Sequence, residues 1–400
     1  MINCDKQRQA IEFMDKLVSD FSDSRKCFIV VSHLVDNTVD FLNTLSTKGR
    51  VAGLIAKPNS IDERAKIRAL QSGINILDLK RTDFLINSTV SHKITPLIHE
   101  GEKLIIIDTG GYFAPSLKKL NQYPQIMGIV EDTENGLQKY EQKLSEYPDN
   151  KLPVFSVARS RAKDFEDYLI GRSIASATKQ LLAENRVMLR NKKIGVIGFG
   201  EVGRGCAFYL KECLKLDVQI FDSNNNVKQL IEASGFKYSS KTNILESSDI
   251  LICATGNKSL SDNDFPDIKK GCYIASCTSS EDEFNFSSIR LNQLPDNNNK
   301  IYPVQQVNFL NKGNAINFVY PNLCNEMLSP YIYLTFSSLL KCVSKLEKEN
   351  NISSTKINTL TKQEEKELIT DFLSTIKAEN NNKNDLFIQQ IRKSKIWGGL

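Results

Sequence analysis

Four hundred residues, 40% of them hydrophobic, can bury two cores, so two domains are expected. A net charge of +5 without any Lys/Arg block gives no case for nucleic acid, and no uninterrupted apolar run approaches the roughly 18 residues of a membrane span. The nine cysteines show no CxxC pair and no histidine partner at metal spacing, and the N-terminus (Asp5, Lys6, Gln7, Arg8) lacks the apolar core of a signal peptide. Reduced thiols in a cytoplasmic protein with no metal site are expected.

Strand-like runs alternate with helical patterns from the start. Cys27 to Ser32, Val51 to Ala56, Ile74 to Leu79, Lys103 to Asp108, Ile126 to Glu131 and Val154 to Val157 are short, apolar and rich in β-branched residues. Helix-length segments separate them, the pattern of a parallel sheet covered on both faces. A long helix over about Asp164 to Leu189 leads into a second series: Ile194 to Gly198, Asp217 to Phe221, Ile250 to Ala254, Cys272 to Ser276 and Ala315 to Val319. An amphipathic helix over Glu326 to Leu346 is expected to return to the first domain. The polar tail that follows carries a helix near Lys362 to Lys377 and ends in Ile396, Trp397 and Gly-Gly-Leu, a segment suited to docking on a neighbour. The expected architecture is α/β: a substrate domain over 1–175 and 323–360, a Rossmann domain over 176–322, and a solvated tail over 361–400.

The most informative stretch is Lys193 to Cys206. A buried strand ends at Gly198, and Gly198, Gly200 and Gly203 stand in G-x-G-x-x-G spacing at the start of a helix. The first glycine permits a tight turn, the second lets a pyrophosphate approach the backbone, and the third lets helix and strand pack closely. Glu201 and Val202 sit between them, where a helix N-terminus meets the phosphates. The next strand ends at Asp222, 24 residues past Gly198, and an acidic residue there favours NAD over NADP. Ligands of open parallel sheets lie at the carboxyl ends of the strands. That rule gathers Ser32-His33, Asp108 to Gly111 and Glu131 to Thr133 at one rim, and Thr255-Gly256-Asn257 with Cys277 to Ser279 beside the cofactor.

These motifs, in their order and spacing, resemble the adenosylhomocysteinase family. Gly198-Phe-Gly-Glu-Val-Gly-Arg-Gly-Cys206 is close to the family's GYGDVGKGC. His33 to Thr38, Asp108 to Gly111, Glu131 to Gly136, Asp167 to Gly171, Ala254 to Gly256 and Lys312 to Asn317 add to it. The resemblance implies tightly held NAD that transiently oxidises a ribose 3′-hydroxyl, elimination of the 5′-thiol, addition of water and return of the hydride. It places Lys163 and Asp167 as the base and its partner, Asp132 and Thr133 at the ribose, His33 near the 5′-position, Asp108 in the acid/base motif and Asn317 near the nicotinamide. From the residues alone, Lys163 with Asp167 also fits a surface ion pair, and Thr133 also fits a helix N-cap.

The departures fall where the substrate belongs. The family's second aspartate of DDGG is Thr109, its Gly-His after the fifth Rossmann strand is Thr278-Ser279, and the asparagine beside the catalytic aspartate is Tyr168. The family glutamate that reads the adenine amino group is Asn37. Three functions are therefore open: transient oxidation of an altered nucleoside or sugar-like small molecule, genuine S-adenosylhomocysteine hydrolysis by a rebuilt site, or a silent NAD-binding regulator. The resemblance also implies a homo-oligomer.

Overall fold

The computed structural model describes residues 4–22, 25–86, 88–328, 330–349 and 351–376. The chain divides into two compact units, Met1–Asp164 with Ser329–Ala378 and the continuous stretch Phe165–Leu328, the division falling inside the helix Arg161–Glu184.

In the first unit, strands β1 (Lys26–Leu34), β2 (Arg50–Ile61), β3 (Lys103–Asp108), β4 (Ile126–Glu131) and β5 (Val154–Ser156) join the short strand Ile357–Asn358 in one sheet. Its order is 357–358, β5, β4, β3, β1, β2, and every pairing is parallel. The strand order reverses between β1 and β3, the point where open α/β sheets take ligands. β-branched and leucine side chains such as Ile29, Val31, Leu104, Ile106 and Ile129 are wholly buried, as two-sided burial requires.

The second unit has β6 (Ile194–Ile197) at its centre. β7 (Val218–Phe221) and β8 (Lys237–Tyr238) lie to one side, β9 (Ile250–Cys253), Tyr273–Ser276 and Val307–Leu310 to the other. All are parallel, and only Ile301–Val304 adds an antiparallel edge through a hairpin with Val307–Leu310. This is the doubly wound dinucleotide-binding order.

Several expected elements differ. Ala315 to Val319 is a 3-10 turn, Ile316–Val319, with a single bridge from Ala315 to Ser276; the sixth strand is Val307–Leu310. Left-handed backbone at Lys312 and Gly313 turns the chain before a strand can continue. Ile74 to Leu79 contributes one bridge, Ile76 to Leu54, rather than a strand. The expected helix over 326–346 is two helices, Pro321–Leu328 and Ile332–Lys348, because Pro330 has no N–H to continue the ladder. The helix Lys362–Thr375 is packed rather than solvated: Leu368 and Phe372 are buried, and the Phe372 ring meets Phe13 edge-on at 5.5 Å. Ile396, Trp397 and the terminal Gly-Gly-Leu lie outside the described residues. Among the described residues no helix is long and apolar enough to cross a membrane.

Candidate functional site

The carboxyl rim of the first sheet brings together His33, Asp108, Asp132, Thr133 and Lys163. His33 sits near the end of β1, half-buried, with Nδ1 2.5 Å from the Ser60 hydroxyl. Burial, then the charges of Lys57 and Lys163, push its pKa well below the usual imidazole value, so the ring is neutral at physiological pH. Lys163, in the first turn of Arg161–Glu184, is buried and donates from Nζ to Oδ1 of Asp132 at 2.9 Å. Asp167 follows one turn later on the same helix.

Asp108 has a different place from the one expected of an acid/base group. It is wholly buried, accepts from the Tyr112 and Phe113 N–H groups at 3.2 and 2.9 Å, and takes the Tyr140 hydroxyl at 2.6 Å. Its carboxylate organises the loop after β3. Thr133 is the N-cap of Glu134–Glu146: its hydroxyl accepts from Gly136 N–H and donates to Glu131, which leaves it little to offer a ribose. Glu131, which the sequence places at this rim without assigning it a role, is its centre. It is fully buried and accepts from Gly110 N–H, Gly111 N–H, Thr133 N–H and the Thr133 hydroxyl at 2.7–3.0 Å. A Cβ on Gly136 would lie 2.2 Å from the Glu131 carboxyl carbon, so that helix needs glycine in its first turn. The signal was present as an acidic residue closing an otherwise apolar strand. Among the described residues, no group of three or more His, Cys, Asp or Glu side chains could hold a metal.

In the second unit the three glycines have three separate causes. Gly198 has φ +99°, and a Cβ there would lie 2.6 Å from the Ala254 carbonyl oxygen. A Cβ on Gly203 would come within 2.1 Å of the Gly198 oxygen. A Cβ on Gly200 would meet nothing within 4 Å, so its smallness serves something other than the fold. The helix Glu201–Phe208 begins there, with Glu201 paired to Arg204 and Gly203 buried. Gly171 and Gly205 let two helices touch at backbone distance; a Cβ on Gly171 would sit 2.0 Å from the Val202 oxygen. Asp222, past the end of β7, accepts from Phe199 N–H at 2.8 Å and Asn224 N–H at 2.8 Å, which holds its carboxylate against the glycine turn. Thr255 and Gly256 follow β9, and the Asn257 N–H bonds the Thr255 hydroxyl. Asn317 is buried, gives its Nδ2 to the Cys324 sulfur at 3.4 Å, and keeps a buried Oδ1 with no partner.

These features fit a dinucleotide. Open space over Gly200 at a helix N-terminus suits a pyrophosphate, Asp222 suits ribose hydroxyls, and the Asn317 oxygen is an acceptor awaiting a donor. Residues 170–323 match the family model of the S-adenosyl-L-homocysteine hydrolase NAD binding domain. Over 272 residues, 66% of this chain, the sequence is 25% identical to the S-inosyl-L-homocysteine hydrolase of Methanothermobacter thermautotrophicus. Over these stretches the chain is similar to the adenosylhomocysteinase family. Its cofactor is NAD. The match spans 63% of that relative's length. Solved structures similar to the chain include a transhydrogenase from Sinorhizobium meliloti, at 12% identity, TM-score 0.41, covering 83% of this chain and 99% of that one. A pyruvate reductase of Chlamydomonas reinhardtii stands at 13% identity, TM-score 0.39, with 80% and 97% covered.

Proposed function

We propose that the protein is an NAD-dependent hydrolase of a nucleoside thioether whose base carries an exocyclic carbonyl oxygen in place of the adenine amino group. The reading is carried by the buried Lys163–Asp132 pair on the same rim as a neutral His33. Bound NAD supplies a hydride acceptor for a substrate C–H. The Lys163–Asp132 pair takes the proton of the adjacent hydroxyl: Lys163 passes one proton to Asp132 as its nitrogen receives the substrate's. An ammonium then faces the new carbonyl oxygen, where it stabilises developing charge. His33, hydrogen-bonded at Nδ1 to the Ser60 hydroxyl, borders the thioether end of the substrate.

The oxygen-bearing base is supported by Asn37, in the first turn of the helix Asp36–Ser46 beyond β1. It is 3% exposed and its buried Nδ2 has no partner, so this amide has a donor to give. A glutamate in that place would accept from an amino group; an asparagine donor suits a carbonyl oxygen. The named substrate of the Methanothermobacter relative, an S-inosyl compound, has such a base.

The test mixes the protein with S-inosylhomocysteine, S-adenosylhomocysteine, inosine and adenosine, following reduced nicotinamide absorbance and thiol release separately. Inosyl compounds are expected to react in both channels. Faster thiol release from S-adenosylhomocysteine would return the site to the ordinary family activity. No reduced cofactor with any compound would leave a silent NAD-binding protein.

A further inference from the structure

Glu283 stands outside every motif described above and is 0% exposed. It ends the short helix Ser280–Glu283, and its carboxylate ties together the loops that follow two neighbouring strands. Oε1 accepts from Thr255 N–H at 3.0 Å and from the Thr255 hydroxyl at 2.8 Å. Oε2 accepts from Gly256 N–H at 2.8 Å and from the Thr278 hydroxyl at 2.9 Å. A buried carboxylate is tolerated only when its lone pairs are met. Here four neutral donors meet them, and all four come from the loops after β9 and Tyr273–Ser276. The same unit places Asp222 after β7, on the opposite side of central β6. A dinucleotide crosses such a sheet at the central strand, so the Asp222 side takes the adenosine ribose and the Thr255 side takes the nicotinamide half.

We propose that Glu283 is a positioning residue for the nicotinamide half of the cofactor, holding Thr255, Gly256 and Thr278 in the arrangement that admits it. The proposal rests on the reading that these loops border the cofactor. It is independent of the substrate. Glu131 does the same for Gly110, Gly111 and Thr133 in the other unit, so each rim is set by a buried carboxylate beneath a glycine-containing loop.

The experiment uses the full chain, wild type and Glu283→Gln, titrated by calorimetry with NAD and with ADP-ribose, which lacks the nicotinamide. Glutamine keeps the shape and one acceptor but turns an amide donor towards the Gly256 N–H. An unmet buried donor is expected to weaken NAD binding by about 10-fold or more. ADP-ribose affinity should stay within about 2-fold, because the Asp222 side is untouched. Equal losses for both ligands, or no loss for either, would overturn the positioning role. Wild-type protein that binds the two ligands equally would overturn the placement of these loops beside the nicotinamide. If the glutamine variant does not fold, Thr278→Val removes a single donor and should show the same selective loss, smaller in size; no selectivity there would count against the proposal.

Discussion

Lys163 and Asp132 form a buried ion pair, 2.9 Å from Nζ to Oδ1, linking the first turn of a long helix to the residue that follows β4. Breaking such a pair leaves an uncompensated buried charge, which costs about 3–5 kcal/mol, whereas replacing both partners removes that penalty.

Lys163→Met and Asp132→Asn should therefore each lower the unfolding temperature, and the double variant should recover most of the loss. Activity should follow a different course. Reduced nicotinamide formation should fall by roughly 10²–10⁴-fold in both single variants and stay low in the double one. Activity returning with stability would make the pair structural only.

Two glycine substitutions separate fold from cofactor. Gly203→Ala drives a Cβ to 2.1 Å from the Gly198 carbonyl oxygen, and overpacking of this kind costs about 1–3 kcal/mol. Gly200→Ala meets no atom within 4 Å, so thermal unfolding without ligand should be unchanged. NAD affinity should nonetheless fall, because the methyl occupies the space over the helix N-terminus. A Gly200→Ala protein that binds NAD normally would remove the phosphates from that turn.

The α/β class and the glycine turn after β6 were legible because their signals are local. Strand-length apolar runs, glycine spacing and a terminal Asp222 each act within a few residues. The carboxylates that set the two rims were not. Glu131 and Glu283 acquire their roles from N–H groups 20 to 28 residues away, brought together by parallel pairing. Asp108 was legible as a motif but not in its use, since only the fold shows Tyr140 and two backbone donors closing around it. Ala315 to Val319 failed for a local reason: a five-residue apolar run reads equally as strand or turn until Lys312 and Gly313 are seen in left-handed backbone.

Asp222 should make the protein select NAD. Both carboxylate oxygens already accept one backbone N–H, so the group is fixed past the end of β7, the position that in dinucleotide-binding sheets meets the ribose hydroxyls. Calorimetry should show tighter binding of NAD than NADP, and Asp222→Arg should shift the preference towards NADP. Because the substitution also releases the Phe199 N–H, a modest loss of overall affinity should accompany the shift. Equal wild-type affinities would refute the assignment.

Stability should fall as pH rises from about 6.5 to 8, and Glu131 should be the cause. Asp108 and Glu131 are register partners on β3 and β4, both fully buried. Burial and the Asp108 charge push Glu131 up to about 8 despite its donors. Burial likewise raises Asp108, against the Tyr140 hydroxyl, the Phe113 and Tyr112 N–H groups and the Lys139 charge. A carboxyl raised in the folded state keeps a proton that the unfolded chain has released, so its contribution is complete below its ordinary value of 4.5 and fades through about pH 8. His33 works in the opposite sense. Its lowered pKa makes the unfolded chain bind the extra proton below 6.5, so it penalises acid and is flat above that pH. The window between 6.5 and 8 thus isolates the carboxylate pair. One proton gives a slope of at most about 1.4 kcal/mol per pH unit. Denaturant unfolding across this range should show a decline in wild type that is much reduced in Glu131→Gln, even though the variant is less stable throughout because its amide faces an N–H donor. A slope that survives the substitution intact would place the proton elsewhere.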